Sequence, residues 1–325
     1  MPLASAAAPA DADTASRVDL ARFDLGLRAR AIGAPGSGVY VVEGANADFS
    51  AANGCNIINT GFIVTDAGVL VINTGTSRRQ GEQLRALIGR TTTQPVVQVL
   101  HLNLHPDYFL GNQAFADVPR RATATTRAGM AREAAAYETN LYRLCSDWMS
   151  GTEALLPDAS ADIDPAAGAL TLGTRRFELL GLSGHTDSDL VLIDRAAGVA
   201  FVGGLVFAQR IPTTPHARLA DWQRSLDALA SRLQADGVHT LVPSHGPVGV
   251  GEAGLEQTRH YLAWLDRTFT RWAAEGRDMA EVANTPLPAP FNGWAATQTE
   301  YLRNVAHLYP AYERRALEGA RPAPR

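Results

Sequence analysis

Residues 96–112 read VVQVLHLNLHPDYFLGN, and this stretch decides the fold. Its first part, residues 96–102, is apolar and rich in β-branched valine, which indicates a buried strand. Polar residues follow directly, and His105 and Asp107 among them carry the imidazole and carboxylate groups that bind zinc in proteins. Because α/β proteins build their sites where strands end, the stretch predicts a strand that leads directly into a chemically active loop.

Two more histidines have the same setting. His185 follows an apolar run at residues 176–182, and His245 follows a second run at residues 240–242. A single histidine after a strand is more often a hydrogen-bonded loop residue. Three of them, each placed one to three residues beyond a predicted strand, indicate one shared site.

The surrounding pattern alternates strands with helices. A hairpin is predicted at residues 66–68, and a helix is predicted over residues 77–88, with Ser77 as its N-cap and Gly89 as its end. Further strands are predicted at residues 38–43, 61–64, 68–72, 170–172, 176–182, 190–193, 199–202 and 240–242, and further helices at 127–149, 219–233, 255–274 and 295–317. Many strands are joined by short hairpins, so the pattern favours an α/β fold with two sheets between helices over one doubly wound sheet.

The chain divides into three parts. Residues 1–37 are predicted to be a flexible N-terminal segment or the remnant of an export leader, because residues 1–12 are rich in Ala, Ser and Pro. Residues 38–250 form the main domain, and residues 251–325 form a helical extension packed on it. This start favours a periplasmic or secreted protein, with a cytoplasmic protein as the alternative. No apolar run approaches about 20 residues, so no membrane span is predicted.

Composition and cysteine count exclude other classes of protein. The net charge is −4 without a basic stripe, so nucleic acid is not an expected partner. Cys55 and Cys145 form neither a disulfide framework nor a thiolate zinc cluster. Two buried free thiols are expected, with a single bridge as the alternative.

The three histidine-bearing segments resemble the metallo-β-lactamase-fold hydrolases. Members of that family carry His-x-His-x-Asp-His, Gly-His-Thr, Gly-Asp and Gly-His-Gly, in this order. Residues 103–108, His185, residues 203–204 and His245 fall on these four blocks. The resemblance covers about residues 38–250. It implies an αβ/βα four-layer sandwich, in which two mixed β-sheets lie between helices, with a C-terminal helical extension.

One branch is more similar still: the quinoprotein relay system zinc metallohydrolases associated with pyrroloquinoline-quinone (PQQ) dehydrogenases. The matching segments are residues 61–66, 105–107, 109–115, 140–144, 212–216 and 307–310. This similarity extends over nearly the whole chain past residue 38. It implies a zinc-dependent hydrolase, a small-molecule substrate and a possible quinoprotein dehydrogenase system as partner.

The chain departs from the family at three metal-ligand positions. Asn103 and Tyr108 replace histidines, and Gly204 replaces the aspartate that bridges two metal ions. A nearby Asp-x-Gly becomes residues 73–75, Asn-Thr-Gly. Two zinc ions repel each other and need anionic ligands between them. A dinuclear centre is therefore not expected.

A single zinc ion at most is expected. The remaining ligand candidates are His105, Asp107, His185 and His245, which the family divides between two metal positions. His101, two residues before Asn103, is expected to be a buried, hydrogen-bonded residue.

Catalytic roles are expected for Asp107, as a ligand or the orienter of a hydroxide, and for Tyr108, as a donor to an oxyanion. Asn103, Arg210 and His216 are candidate substrate-binding residues. The alternative for Arg210 is a solvated surface charge, and it is favoured. For His216 the two interpretations are even. The alternative for the whole chain is a non-catalytic relative that serves as an accessory or binding protein.

Overall fold

The computed structural model describes residues 22–319, so the expectation of a leader in residues 1–12 lies outside the described part. Two six-stranded mixed sheets form the centre of this part. The first has the order β1 (Arg30–Ile32), β2 (Val39–Val42), β3 (Thr60–Thr65), β4 (Gly68–Ile72), β5 (Val96–Leu100) and β6 (Arg120–Arg121). The second has the reverse order, from β12 (Gly249–Val250) and β11 (Thr240–His245) through β10 (Val199–Phe207), β9 (Asp189–Asp194) and β8 (Arg175–Leu182) to β7 (Ala169–Leu172).

Helices cover the outer faces of both sheets. They are α1 (Arg78–Thr91), α2 (Pro106–Phe109), α3 (Ala124–Cys145), α4 (Leu219–Ala235), α5 (Ala253–Ala274), α6 (Met279–Ala283) and α7 (Thr297–Gly319). The facing sheets bury one core that includes Ile63, Leu100 and Phe201. A second core lies under α1, and a third joins the other sheet to α4, α5 and α7. The four-layer αβ/βα sandwich with C-terminal helices is therefore confirmed. Within residues 22–319, no helix is long and apolar enough to cross a membrane.

Helix α1 connects two parallel strands, β4 and β5. The side chain of Ser77 accepts a hydrogen bond from the backbone N–H of Gln80, which confirms the predicted N-cap. The predicted end at Gly89 is wrong, because the helix continues to Thr91. Gly89 is exposed there, and a Cβ at this position would meet nothing within 4 Å. The glycine is thus tolerated inside the helix instead of ending it.

Order begins earlier than the sequence pattern indicates. Residues 30–32 pair with residues 39–41 as an antiparallel edge strand. A three-residue strand is too short to produce a recognisable alternation. Similarly, β10 extends to Phe207 and β11 extends to His245, so His245 is the last residue of its strand instead of following it.

A disulfide joins Cys55 to Cys145, with 5.8 Å between their Cα atoms. The expectation of two free thiols is therefore wrong. The two cysteines are 90 residues apart in sequence, and only the packing of the loop before β3 against the end of α3 brings them together. The bridge fixes this loop, which also contributes backbone to the site described below.

Candidate active site

The predicted site residues lie where β5, β8 and β11 end. The short helix α2 begins at Pro106, whose missing N–H suits the first helical position, and His105 precedes it as the N-cap. His185 lies three residues beyond β8, and His245 ends β11. His105, Asp107, His185 and His245 are all at most 7% exposed.

Asp107 and His245 form one pair. The distance from His245 Nε2 to Asp107 Oδ2 is 3.4 Å. His245 Nδ1 lies 2.8 Å from the carbonyl oxygen of Ile57, so it is the protonated nitrogen and donates to that oxygen. The lone pair of Nε2 therefore faces a carboxylate oxygen, and such a contact is favourable only when a proton or another cation lies between the two atoms. Burial raises the pKa of Asp107 to about 7 and lowers that of His245 well below its usual value.

His105 and His185 form a second pair, with their ring centroids 4.6 Å apart. Nδ1 of His185 lies 3.2 Å both from Asn103 Nδ2 and from Asp189 Oδ1. The Nε2 atoms of both histidines are buried without a hydrogen-bond partner in the described part of the chain. Burial, and then the neighbouring His185, lower the pKa of His105 well below its usual value, so this ring is neutral at pH 7.

Gly204 lies directly against the second pair. A Cβ added to Gly204 would overlap the ring of His185 and would lie 2.6 Å from Nδ2 of Asn103. The space that a bridging aspartate needs is therefore filled by these two side chains. The exchange at Asn103 and the exchange at Gly204 are thus parts of one packing arrangement.

A zinc site with three protein ligands does not fit these residues. Over residues 22–319, no group of three or more His, Cys, Asp or Glu side chains is arranged to hold a metal ion. The four predicted ligands meet as two pairs, as their division between two family metal positions implies. A catalytic zinc usually has three protein ligands and a water molecule, and neither pair provides that set.

Tyr108 is fully buried beside Asp107. Its hydroxyl group has no hydrogen-bond partner among the described residues. Burial and the negative charge of Asp107 raise the pKa of Tyr108 well above its usual value. The residue is therefore a neutral phenol, which suits a hydrogen-bond donor and not an anionic metal ligand.

The predicted substrate-binding residues differ in their access to solvent. Asn103 is fully buried, and both ends of its amide are engaged, because Oδ1 accepts from the backbone N–H of His105 while Nδ2 faces His185. His216 is half-buried, and its ring centroid lies 5.5 Å from that of His105. The hydroxyl of Tyr137 is 3.4 Å from Nε2 of His216. His216 is thus the predicted contact that reaches both the solvent and the histidine pair.

Arg210 is not a solvated surface charge, so that favoured expectation is wrong. Arg210 is 1% exposed. One nitrogen of its guanidinium lies 3.7 Å from a carboxylate oxygen of Asp48 and 3.8 Å from one of Glu300. It also donates to the carbonyl oxygen of Ala47. The positive charge of Arg210 acts on Asp107 as well, and it opposes the effect of burial on the pKa of that carboxyl.

Sequence reasoning missed three residues that support the site. Glu300, from α7, is far from the motifs in sequence, and no local pattern marks it as a partner of Arg210. The side-chain amide of Asn59 donates hydrogen bonds to the carbonyl oxygens of Pro243 and Gly246, on either side of His245. No sequence motif predicts these contacts. Asp189 could have been found, since it lies four residues after His185 and contacts its ring.

Comparisons with known proteins agree with the fold. The family model described as Metallo-beta-lactamase superfamily matches residues 53–245. A metallo-β-lactamase from Pontibacter korlensis is similar in structure at 22% identity, with a TM-score of 0.56, over 73% of this chain and 99% of that one. FIM-1 from Pseudomonas aeruginosa, solved in its mono-zinc form, is similar at 18% identity and a TM-score of 0.55, over 73% and 95% of the two chains. A metallo-β-lactamase from Erythrobacter litoralis has the same identity and TM-score, over 74% and 98%. No curated protein matches the chain.

Proposed function

Because this chain belongs to the metallo-β-lactamase superfamily, we propose that it is a hydrolase of that fold that binds at most one metal ion. The contact between Asp107 Oδ2 and His245 Nε2 carries the proposal. Two acceptor atoms at 3.4 Å have room for one cation between them. They are the groups that would share a single zinc ion, while the packing at Gly204 leaves no place for a carboxylate that joins two ions.

The catalytic roles in this proposal belong to Asp107 and Tyr108. Asp107 acts through its buried Oδ2 atom, which has no hydrogen-bond partner among the described residues, and it would either hold the ion or orient the attacking water molecule. Tyr108 donates its hydroxyl proton in a hydrogen bond to the oxygen of the substrate carbonyl as negative charge develops there. His216 contacts the substrate, since it borders the histidine pair and is half-exposed. FIM-1, which is similar in fold, has been solved in a mono-zinc form, so a protein of this fold can hold a single zinc ion.

Export and a quinoprotein system complete the proposal. The Cys55–Cys145 disulfide supports a periplasmic or secreted protein, because disulfides persist in oxidising compartments. The link to PQQ-dependent dehydrogenases is supported by the sequence resemblance alone. Fractionation of the native cells, with detection of the protein in the periplasmic or the cytoplasmic fraction, tests the compartment. Copurification with a quinoprotein dehydrogenase tests the partner.

Metal content and hydrolysis, measured on the same preparations, test the main proposal. Protein purified without chelator is analysed for metals by mass spectrometry, before and after incubation with zinc chloride and desalting. The same samples are assayed with chromogenic esters and a chromogenic β-lactam. The variants are Asp107→Asn and Tyr108→Phe, and the control is Asp227→Asn, which changes a carboxylate that is 72% exposed on α4.

We expect at most one zinc per chain and hydrolysis of at least one ester or lactam. Tyr108→Phe should lower kcat by about 10²-fold, the usual effect of removing one oxyanion donor, and Asp107→Asn should lower it at least as much. The control should match the wild type. Two zinc ions per chain would contradict the one-ion limit. If the protein neither binds metal nor hydrolyses any of these substrates, the hydrolase proposal is wrong and the alternative, a non-catalytic accessory protein, is favoured.

A further inference from the structure

A cavity lies between the C-terminal helices and the loop that follows β2. Its volume is about 860 Å³, within the range of small-molecule pockets. The walls include Asp48 from that loop, Asn284 after α6, Asn292 and Trp294 from the segment before α7, and Thr299 in the first turn of α7. The residues that line it do not include any of the candidate active-site residues, so it is a separate site.

The polar groups around the cavity favour an uncharged ligand. Amide and hydroxyl side chains provide most of the polar lining, and Asp48 is the one charged residue among the described residues of the wall. The charges next to the cavity cancel, since Asp48 and Glu300 are negative while Arg210 and Arg303 are positive. Neither an anion nor a cation gains a net attraction from this arrangement. A ligand that forms many neutral hydrogen bonds suits it better.

The charge of Asp48 is directed at Arg210 and not at the cavity. Its Oδ1 atom is buried, and it has no hydrogen-bond partner in the described part of the protein. The nearest guanidinium nitrogen of Arg210 is 3.7 Å away, beyond hydrogen-bonding distance. This oxygen lies on the side of the buried Arg210, so the polar groups that a ligand in the cavity can reach are the amide and hydroxyl side chains of its wall.

The apolar part of the wall is a fixed aromatic ring. Trp294 is half-buried, and its ring packs edge-on against Phe291 at 5.1 Å between centroids. Tyr261 lies 6.2 Å away on the same side. These neighbours hold the indole in place while part of it remains accessible from the cavity. A ring fixed in this way gives a flat surface for an apolar face of the ligand at little entropic cost.

We propose that this cavity binds a neutral saccharide. A sugar ring combines hydroxyl groups, which match the amide and hydroxyl side chains of the wall, with an apolar C–H face, which matches Trp294. The proposal does not depend on hydrolysis at Asp107, because the two sites have no lining residue in common. Binding can therefore be measured whether or not the chain is an active hydrolase.

Saturation-transfer NMR and isothermal titration calorimetry on the full chain test this. The probes are maltose, cellobiose and trehalose, with glucosamine as a cationic control and glucuronate as an anionic control. The variants are Trp294→Ala, which removes the apolar wall, and Asn292→Ala, which removes an exposed amide and should leave the fold intact. Trp148→Ala is the matched control, because Trp148 is also half-buried but lies beside the loop at residues 51–54.

We expect at least one of the three disaccharides to bind. Trp294→Ala should weaken that binding about tenfold, the loss that corresponds to one aromatic contact, and Asn292→Ala should weaken it by a smaller factor. Trp148→Ala should not change it. Failure of all three disaccharides to bind would overturn the proposal. Stronger binding of a charged sugar would overturn it as well, and so would unchanged affinity in both cavity variants.

Discussion

Replacement of Gly204 by alanine or aspartate should destabilise the protein instead of rebuilding a metal bridge. The added Cβ would overlap the ring of His185, and real Cβ atoms essentially never approach another heavy atom within 3.0 Å. His185 cannot move aside easily, because its ring is enclosed by Trp222 at 5.0 Å and Phe207 at 5.5 Å. The side chain is fully buried. The strain must therefore be absorbed by a packed core.

The expected cost follows from that packing. Extra atoms forced into a packed core typically cost about 1–3 kcal/mol, and the direct overlap places Gly204→Ala at the upper end, near 3 kcal/mol. For a domain of this size, each kcal/mol lowers Tm by about 2–4 °C, so we expect Tm to fall by about 6–12 °C. Gly204→Asp should cost more, because it also buries a carboxylate beside the His185 ring and the Asn103 amide.

Urea denaturation and thermal melting, followed by circular dichroism, measure the effect. The matched control is Gly89→Ala, where a Cβ meets nothing within 4 Å and the position lies inside helix α1. That control should stabilise the protein by up to about 1 kcal/mol, because alanine is the better helix former. If Gly204→Ala has the same Tm as the wild type, the close packing of His185 on Gly204 is wrong. If Gly204→Asp gains a second zinc, the bridging position was open after all.

Two further predictions concern stability. The Cys55→Ser/Cys145→Ser double variant should lose stability, because the bridge closes a loop of 90 residues; the loop-entropy relation gives at most about 4–5 kcal/mol, measurable by urea denaturation. A thiol titration of the unfolded, unreduced wild type should find no free thiol, and two free thiols would refute the bridge. Burial lowers the pKa of His101 from 6.5 to about 3. Between pH 6.5 and 3, His101 therefore binds a proton in the unfolded chain but not in the folded protein. The free energy of unfolding decreases as the pH falls through this range, by up to about 5 kcal/mol. In His101→Gln, denaturation curves at several pH values should show that the free energy of unfolding depends less steeply on pH below 6.5. If that dependence is the same as in the wild type, groups other than His101 cause the loss of stability.

The sequence predicts the sandwich well because its signals are local. Apolar runs such as residues 96–102 report burial of a strand, and Ser77 reports a helix start through a hydrogen bond three residues away. The edge strand at residues 30–32 is not predicted, because three residues are too few to show an alternation of apolar and polar side chains. The expected hydrogen-bonded burial of His101 is confirmed, since its ring contacts the carbonyl oxygen of Tyr108 at 2.9 Å.

The candidate site is predicted less completely, because it depends on contacts between distant segments. Motif order identifies which histidines approach one another. The family motifs also imply the division into two pairs, but they do not reveal that the His185 ring and the Asn103 amide fill the space at Gly204. The burial of Arg210 depends on Glu300, which is 90 residues away on a helix outside the family motifs. The disulfide cannot be predicted from the sequence for the same reason, because the positions of two isolated cysteines in the chain do not indicate how close they are in space.

The substitutions at Asn103 and Gly204 are physically linked, and this bears on how such a centre changes. A glycine at 204 removes the bridging carboxylate and also opens space, which the His185 ring and the Asn103 amide now occupy. The amide is fixed at its other end by the backbone N–H of His105. A histidine at 103 would have to fit where a smaller side chain is already fully buried. An aspartate restored at 204 alone therefore meets the His185 ring and the Asn103 amide, and a complete family ligand set would also need histidines at 103 and 108.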